Sequence, residues 1–265
     1  MKRLIVFFTI LLIAVSAQAS YIQYLNRSAL PQQPELIAAI ERILQFEDYV
    51  KEFPVPWKYV EPPDTVKNIL LRSYKLFSRA LDKDKKNIEL NLLCGLIGLY
   101  LYNMDLVDYN DDTEKHFNTA HKLNPNDYRA QWFLAKHYIN SAQLDKGIAL
   151  YRAIMATGKD VNAPFLEDYA IGAYTAFMPR TSLWGLDRYK EVSGKKGVID
   201  DIVRTKFEKS IKIFEPDKPL EPQNFWRVYP DESDGKIVNF PFGIKFTVLK
   251  SWGLQPGGYS PKSRG

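Results

Sequence analysis

The sequence predicts a mainly α protein, an array of about three divergent antiparallel helix pairs followed by a short C-terminal β segment. Three observations carry that class. Residues 116–138, "HFNTAHKLNPNDYRAQWFLAKHY", place one apolar helical face at Phe117, Ala120 and Leu123 and a second at Leu134, Ala135 and Tyr138, with Asn124-Pro125-Asn126 as the turn between them. The aromatic-then-small spacing of Phe117 and Ala120 recurs at Phe77 and Ala80, and again at Phe207 and Ser210. After Phe214 the helical period gives way to alternation through Ile244, Phe246 and Val248, the pattern of a strand.

The chain opens Met1-Lys2-Arg3, continues with the uncharged run from Leu4 to Val15, and then reads "SAQAS". A basic start, a short apolar run and an Ala-x-Ala site make residues 1–19 a secretory signal peptide cut after Ala19. The rival reading, an uncleaved anchor, needs a run of roughly 18 apolar residues, and this one is shorter. Export to a bacterial periplasm or the medium is therefore expected. Losing Lys2 and Arg3 lowers the net charge from +5 to +3, too little to argue for nucleic acid. Cys94 is the single cysteine, so no internal disulfide is available, and its setting in "NLLCGLIGLY" reads as core.

Residues 20–63 hold a helix and a proline-rich connector. Leu36, Ile37, Ile40, Ile43 and Leu44 give the helix its face, with Pro34 near its start. Pro54, Pro56, Pro62 and Pro63 around Trp57 break the pattern. The repeat region spans 64–214. Asp64 is placed to cap a helix with Val66, Ile69, Leu70, Ser73, Phe77, Ala80 and Leu81 on one side. Residues 88–104 are apolar almost all round, as a helix enclosed by neighbours would be. Gly147, Tyr151 and Ile154 mark a helix that Gly158 can end in a left-handed cap. Residues 179–197 read as an insertion between the helices of the last pair, and 215–265 as a proline-rich linker with a short hairpin or tail.

These residues resemble the tetratricopeptide repeat family, whose unit is a pair of antiparallel helices. The match is best from Asn126 to Asp160, at Leu134, Ala135, Tyr138, Gly147 and Tyr151, and the preceding unit has Thr113, Phe117, Ala120 and Pro125 at family spacing. Trp132 stands one place from the family's aromatic, and Ile154 replaces its alanine. The alternative is a nonrepetitive helical bundle. The resemblance implies that the first helix of each pair lines a concave face. That puts Arg129, Trp132, Lys136 and Asn140 toward a groove, with Tyr102 and Tyr169 on neighbouring helices. Such a groove suits a protein or extended peptide partner. The plainer reading makes Trp132 and Tyr169 core residues, and Arg129 and Lys136 a solvated face.

The chemistry of an enzyme is not signalled. His116 and His121 are five apart and share no helical face, and the sequence has no HExxH. The acidic stretch "DLVDYNDDTE" lacks the alternating ligands and central glycine of a calcium loop. There is no Gly-x-Ser-x-Gly elbow, no Walker loop and no GxGxxG. No cofactor, metal or catalytic residue is expected. The basic amphipathic stretch 194–214 offers a membrane-surface reading, against its use as a helix that covers the core. An exported non-enzymatic adaptor is the first functional expectation. A small-ligand carrier with an enclosed cavity is the alternative, and an enzyme whose residues converge only in the fold is the third.

Overall fold

A computed structural model describes residues 20–55, 62–176 and 178–205. The expected leader, the connector around Trp57, the repeat positions Phe207, Ser210 and Ile213, and the expected β segment lie outside the described residues. What is described is mainly α. Short 3-10 turns at Ile22–Tyr24 and Arg27–Ala29 precede helices α1 (Pro34–Leu44), α2 (Glu47–Val50), α3 (Pro63–Lys83), α4 (Ile88–Asn103), α5 (Asn110–Leu123) and α6 (Arg129–Asn140). Helices α7 (Leu144–Ala156), α8 (Ala163–Thr175), α9 (Pro179–Ser193) and α10 (Asp200–Val203) follow. None of these helices is long and apolar enough to cross a membrane.

The chain divides into two compact units, the first running to Gln143 and including Ala149–Lys159, the second holding Leu144–Ile148 and the residues from Asp160. In the first unit adjacent helices pack as pairs, α3 on α4, α4 on α5 and α5 on α6, with α1 against α3. Helix α4 is the centre: Leu90, Leu92, Leu93, Cys94, Leu96, Ile97, Leu99, Tyr100 and Leu101 are all wholly buried. Each aliphatic side chain so enclosed contributes about 1.5–3 kcal/mol. The same burial pushes the Cys94 thiol up to about 12 and leaves it an inert packing group.

Small residues set how close the helices come. A Cβ added at Gly95 would lie 2.5–2.9 Å from the Phe117 ring, and one at Gly98 would fall against Thr113 Oγ1. The Thr113, Phe117 and Ala120 face of α5 thus seats on the glycines of α4. Two joins share one geometry. Asp84 (φ −139°, ψ 72°) ends α3 and Asn124 (φ −142°, ψ 86°) ends α5. Three residues on, Asn87 N donates to Asp84 O at 3.0 Å and Asp127 N to Asn124 O at 3.1 Å. Asn87 then caps α4 through Leu90 N, at 3.0 Å.

Helix starts differ from expectation at one point. Asp64 does not cap α3; Pro63 opens it after Pro62, and Asp64 lies in the first turn. Proline needs no N–H partner there, and the aspartate still meets the positive end of the helix. The expected left-handed stop at Gly158 is present, with φ 66°.

In the second unit α8 packs along α9, and Ala170, Leu183, Leu186, Ile199 and Val203 form its core. Gly185 makes the approach possible, since a Cβ there would lie 3.0 Å from Ala170 Cβ. The segment read as an insertion, 179–197, is therefore helical over most of its length and partners α8, opened by Pro179 and stopped by left-handed Gly194 (φ 67°). As far as residue 205, the basic amphipathic stretch turns Ile199 and Val203 into this core. Its Arg204 pairs with Asp187 and Asp200.

Gly95→Val is expected to destabilise the protein by about 2–4 kcal/mol in urea denaturation, because the Phe117 ring has no room to retreat. Adding Phe117→Leu should recover part of that loss. Equal stability of Gly95→Val and the parent would show that α4 and α5 are not seated this closely.

Candidate functional site

Arg129, Trp132, Lys136 and Asn140 follow one another at steps of three and four, so they share one face of α6. Within the first unit that face is covered by the chain's own N-terminal region, residues 20–55. At its start the Arg129 guanidinium, 19% exposed, is fully engaged. Its Nε donates to both Asp127 oxygens at 3.0 and 2.9 Å, and Nη2 reaches Glu89 Oε1 at 2.6 Å. Nη1 donates to Tyr24 O at 2.5 Å and to Glu89 Oε2 at 3.1 Å. Glu89 in turn accepts from Asn26 N at 2.9 Å. A carboxylate and a guanidinium therefore read the backbone of residues 24–26, one taking an N–H and the other capping a carbonyl. Burial works against the Asp127 carboxylate, but its Arg129 hydrogen bonds outweigh that and hold its pKa below the ordinary value.

One turn on, Trp132 is 0% exposed. The Tyr21 and Tyr24 rings meet it edge-on, each with centroids 5.5 Å away, and Tyr128 stacks at 6.2 Å. Tyr21 also touches Phe133, at 5.4 Å. Tyr21, Ile22, Leu25 and Leu30 are all buried, so the segment is anchored by apolar side chains worth about 1.5–3 kcal/mol each. Lys136, 3% exposed, reaches Glu52 Oε2 at 3.4 Å. At the far end Asn140 Nδ2 donates to Asn103 Oδ1 at 3.0 Å, and Asn103 Nδ2 donates to Val50 O at 2.8 Å.

The remaining two expected residues are placed differently. Tyr102 is half-buried on α4 and lies edge-on to the His137 ring at 5.1 Å. Asn110 Oδ1 lies 3.0 Å from His137 Nε2, so a ring protonated at Nε2 donates to it. Burial drives the His137 pKa down to about 4, against a smaller upward pull from Glu114. Tyr169 belongs to the second unit. It is 1% exposed, with Trp184 edge-on at 5.9 Å and Phe165 at 6.3 Å.

Two carboxylates that the sequence reading did not single out organise the site. Glu89 is the one charged residue in the helix "IELNLLCGLIGLYLYN", a signal that was open to notice. Glu47 accepts from Ile22 N at 3.0 Å, from the Tyr100 hydroxyl and from Ser20 Oγ. Burial raises its pKa, and these hydrogen bonds oppose the rise without cancelling it. Between them, Glu47 and Glu89 hold the backbone at Ile22 and Asn26. Among the described residues no group of three or more His, Cys, Asp or Glu side chains is placed to hold a metal ion.

Arg129→Met is expected to cost about 2–4 kcal/mol in urea denaturation, since it leaves Glu89 buried without its cation. Arg129→Lys should restore only part of this, because an ammonium cannot span two carboxylates and a carbonyl. A loss below about 0.5 kcal/mol would mean that the pairing is ornamental. His137 makes a separate expectation. Its folded pKa lies below the unfolded value near 6.5, so its contribution is present above that pH and is lost as pH falls toward about 4. About 3 kcal/mol is at stake, and His137→Gln should flatten the fall in stability between those limits.

The chain matches no protein-family model, no curated protein and no solved structure.

Proposed function

We propose that the chain is an exported, non-enzymatic helical scaffold of tetratricopeptide-like helix pairs, which binds a protein or extended peptide on the α4–α6 face. The observation that carries this reading is the seating of residues 20–30 there. Glu47 and Glu89 accept backbone N–H groups, Arg129 donates to a backbone carbonyl, and Trp132 receives aromatic side chains. Those are the means by which a groove holds any extended peptide. The resident segment is an internal ligand, and a partner takes its place by offering the same order of aromatic and apolar anchors. Because the resident is tethered, it competes at an effective concentration on the order of millimolar, so an exchanging partner must bind tightly or arrive while the segment is loose.

Support for export is the basic start, the apolar run and the Ala-x-Ala site before Ser20. Support for binding rather than catalysis is that Arg129, Asp127, Glu89, Lys136 and Glu52 spend their charges on one another.

Exchange of the segment tests the groove. A labelled peptide of residues 20–30 is added to residues 20–265, as the parent chain and as Tyr21→Ala, Tyr24→Ala, and binding is followed by fluorescence anisotropy. The loosened variant is expected to take up the peptide at least tenfold more tightly than the parent, and Arg129→Glu in the same background to abolish uptake. No uptake by a loosened variant whose helicity matches the parent would sink the groove reading and leave the segment as fixed core. A small molecule retained by the parent in native mass spectrometry would favour a carrier.

A further inference from the structure

We propose that Glu47 receives the α-ammonium group created at Ser20 when the leader is removed, so that processing locks residues 20–30 into the groove. The inference rests on the export reading through the position of the cut, after Ala19. The cut is a hydrolysis by an export peptidase. Water adds across the Ala19–Ser20 peptide bond, the carboxylate leaves on Ala19, and the amine stays on Ser20, protonated at neutral pH.

The geometry is already prepared. Glu47 is 1% exposed, and Ser20 Oγ donates to its Oε2. The amide nitrogen of Ser20 stands three bonds from that hydroxyl, roughly 3–4 Å away by covalent geometry, so a rotation of Ser20 brings it to the same carboxylate. The Ser20 and Tyr100 hydroxyls and Ile22 N–H are uncharged donors to Glu47, and the Lys51 ammonium acts on it through its charge. A buried carboxylate is costly, and Lys51 offsets only part of that cost, since burial still raises the Glu47 pKa. A further cation at hydrogen-bonding distance lowers the cost more. The cations near it are shared with other groups. Lys51 Nζ pairs with Asp48 at 2.8 Å and lies 5.8 Å over the Tyr21 ring, while Lys136 reaches Glu52. Before the cut Ser20 N is a neutral amide, and Glu47 lacks this partner. After it, one ion pair fixes the end of a segment whose next residues fill the Trp132 pocket.

The test compares residues 20–265, released with Ser20 as the true first residue, with residues 18–265, each as parent and as Glu47→Gln. At pH 7 the chain starting at Ser20 is expected to melt about 3–8 °C higher than the extended chain. That gap should close as pH rises past 10, where the amine loses its proton, and should be absent between the two Glu47→Gln chains. Lys51, Asp48, Tyr21 and Tyr100 are present in both chains, so only the group at Ser20 differs between them. Equal melting of the parents, or a gap that survives Glu47→Gln, overturns the proposal. A second measurement does not depend on any variant. The Ser20 amine, followed by NMR after isotopic methylation, should titrate well above its ordinary value near 8, and a titration at or below 8 overturns the pairing. N-terminal sequencing of exported protein tests the cut by itself. A start at Ser20 supports the proposal, and any other start overturns it while the melting comparison still reports on the Ser20–Glu47 pair.

Discussion

Helix α4 has no polar side. From Leu90 to Leu101 its residues are buried in every direction, so no orientation lets it rest one face in water. The rest of the first unit answers that demand. Helices α3 and α5 cover two flanks, and the glycines at 95 and 98 let α5 come close enough to exclude water. Helix α6 and the N-terminal region close the remainder. Covering α4 with an irregular segment raises a second problem, because backbone groups taken out of water must still find partners. Glu47, Glu89, Asn103 and Arg129 supply them, which is why charged side chains stand at the edge of so apolar a core.

The unit therefore joins two kinds of stabilisation with different sensitivities. Packing of α3, α4 and α5 responds chiefly to volume, with half-buried His116 between Tyr74 and Asn91 as its acid-sensitive group. The seam along α6 responds to charge. Arg129 with Asp127 and Glu89 holds through neutral pH, while His137, about two turns further along α6, is a buried neutral group that acid would force to charge. The second unit repeats the first kind on a smaller scale, with Gly185 against Ala170 and the buried Glu167 carboxylate accepting from Val198 N at 3.0 Å.

Local pattern made much of this readable. The apolar run of α4, the Asn124-Pro125-Asn126 turn and the Thr113, Phe117, Ala120 spacing each report on neighbours within a few residues or one helix away. The shared face of Arg129, Trp132, Lys136 and Asn140 was readable for the same reason. What covers that face was not. "SYIQYLNRSAL" has no period, and its burial depends on partners in α4 and α6 far along the chain. Glu47 stayed invisible because a carboxylate is buried only when its donors come with it, and those donors are a tyrosine and a backbone amide from separate segments. The helix at Pro179–Ser193 was missed differently. Its opening proline and closing Gly194 are ordinary helix signals, but matching the last pair to a repeat template assigned the partner of α8 to residues beyond 200.

The bond from Arg129 to the Tyr24 carbonyl joins residues 105 apart in sequence. Each helix pair, by contrast, closes over a short loop, so α3 to α5 can assemble from neighbours at small entropic cost. A segment made before α3–α6 is thus among the last to reach its place. Until α6 is made, α4 has one open flank, and Tyr21 and Tyr24 have no Trp132 ring to pack on. The order of synthesis and the order of folding run in opposite directions at this seam, and for that interval the newborn chain is at its stickiest.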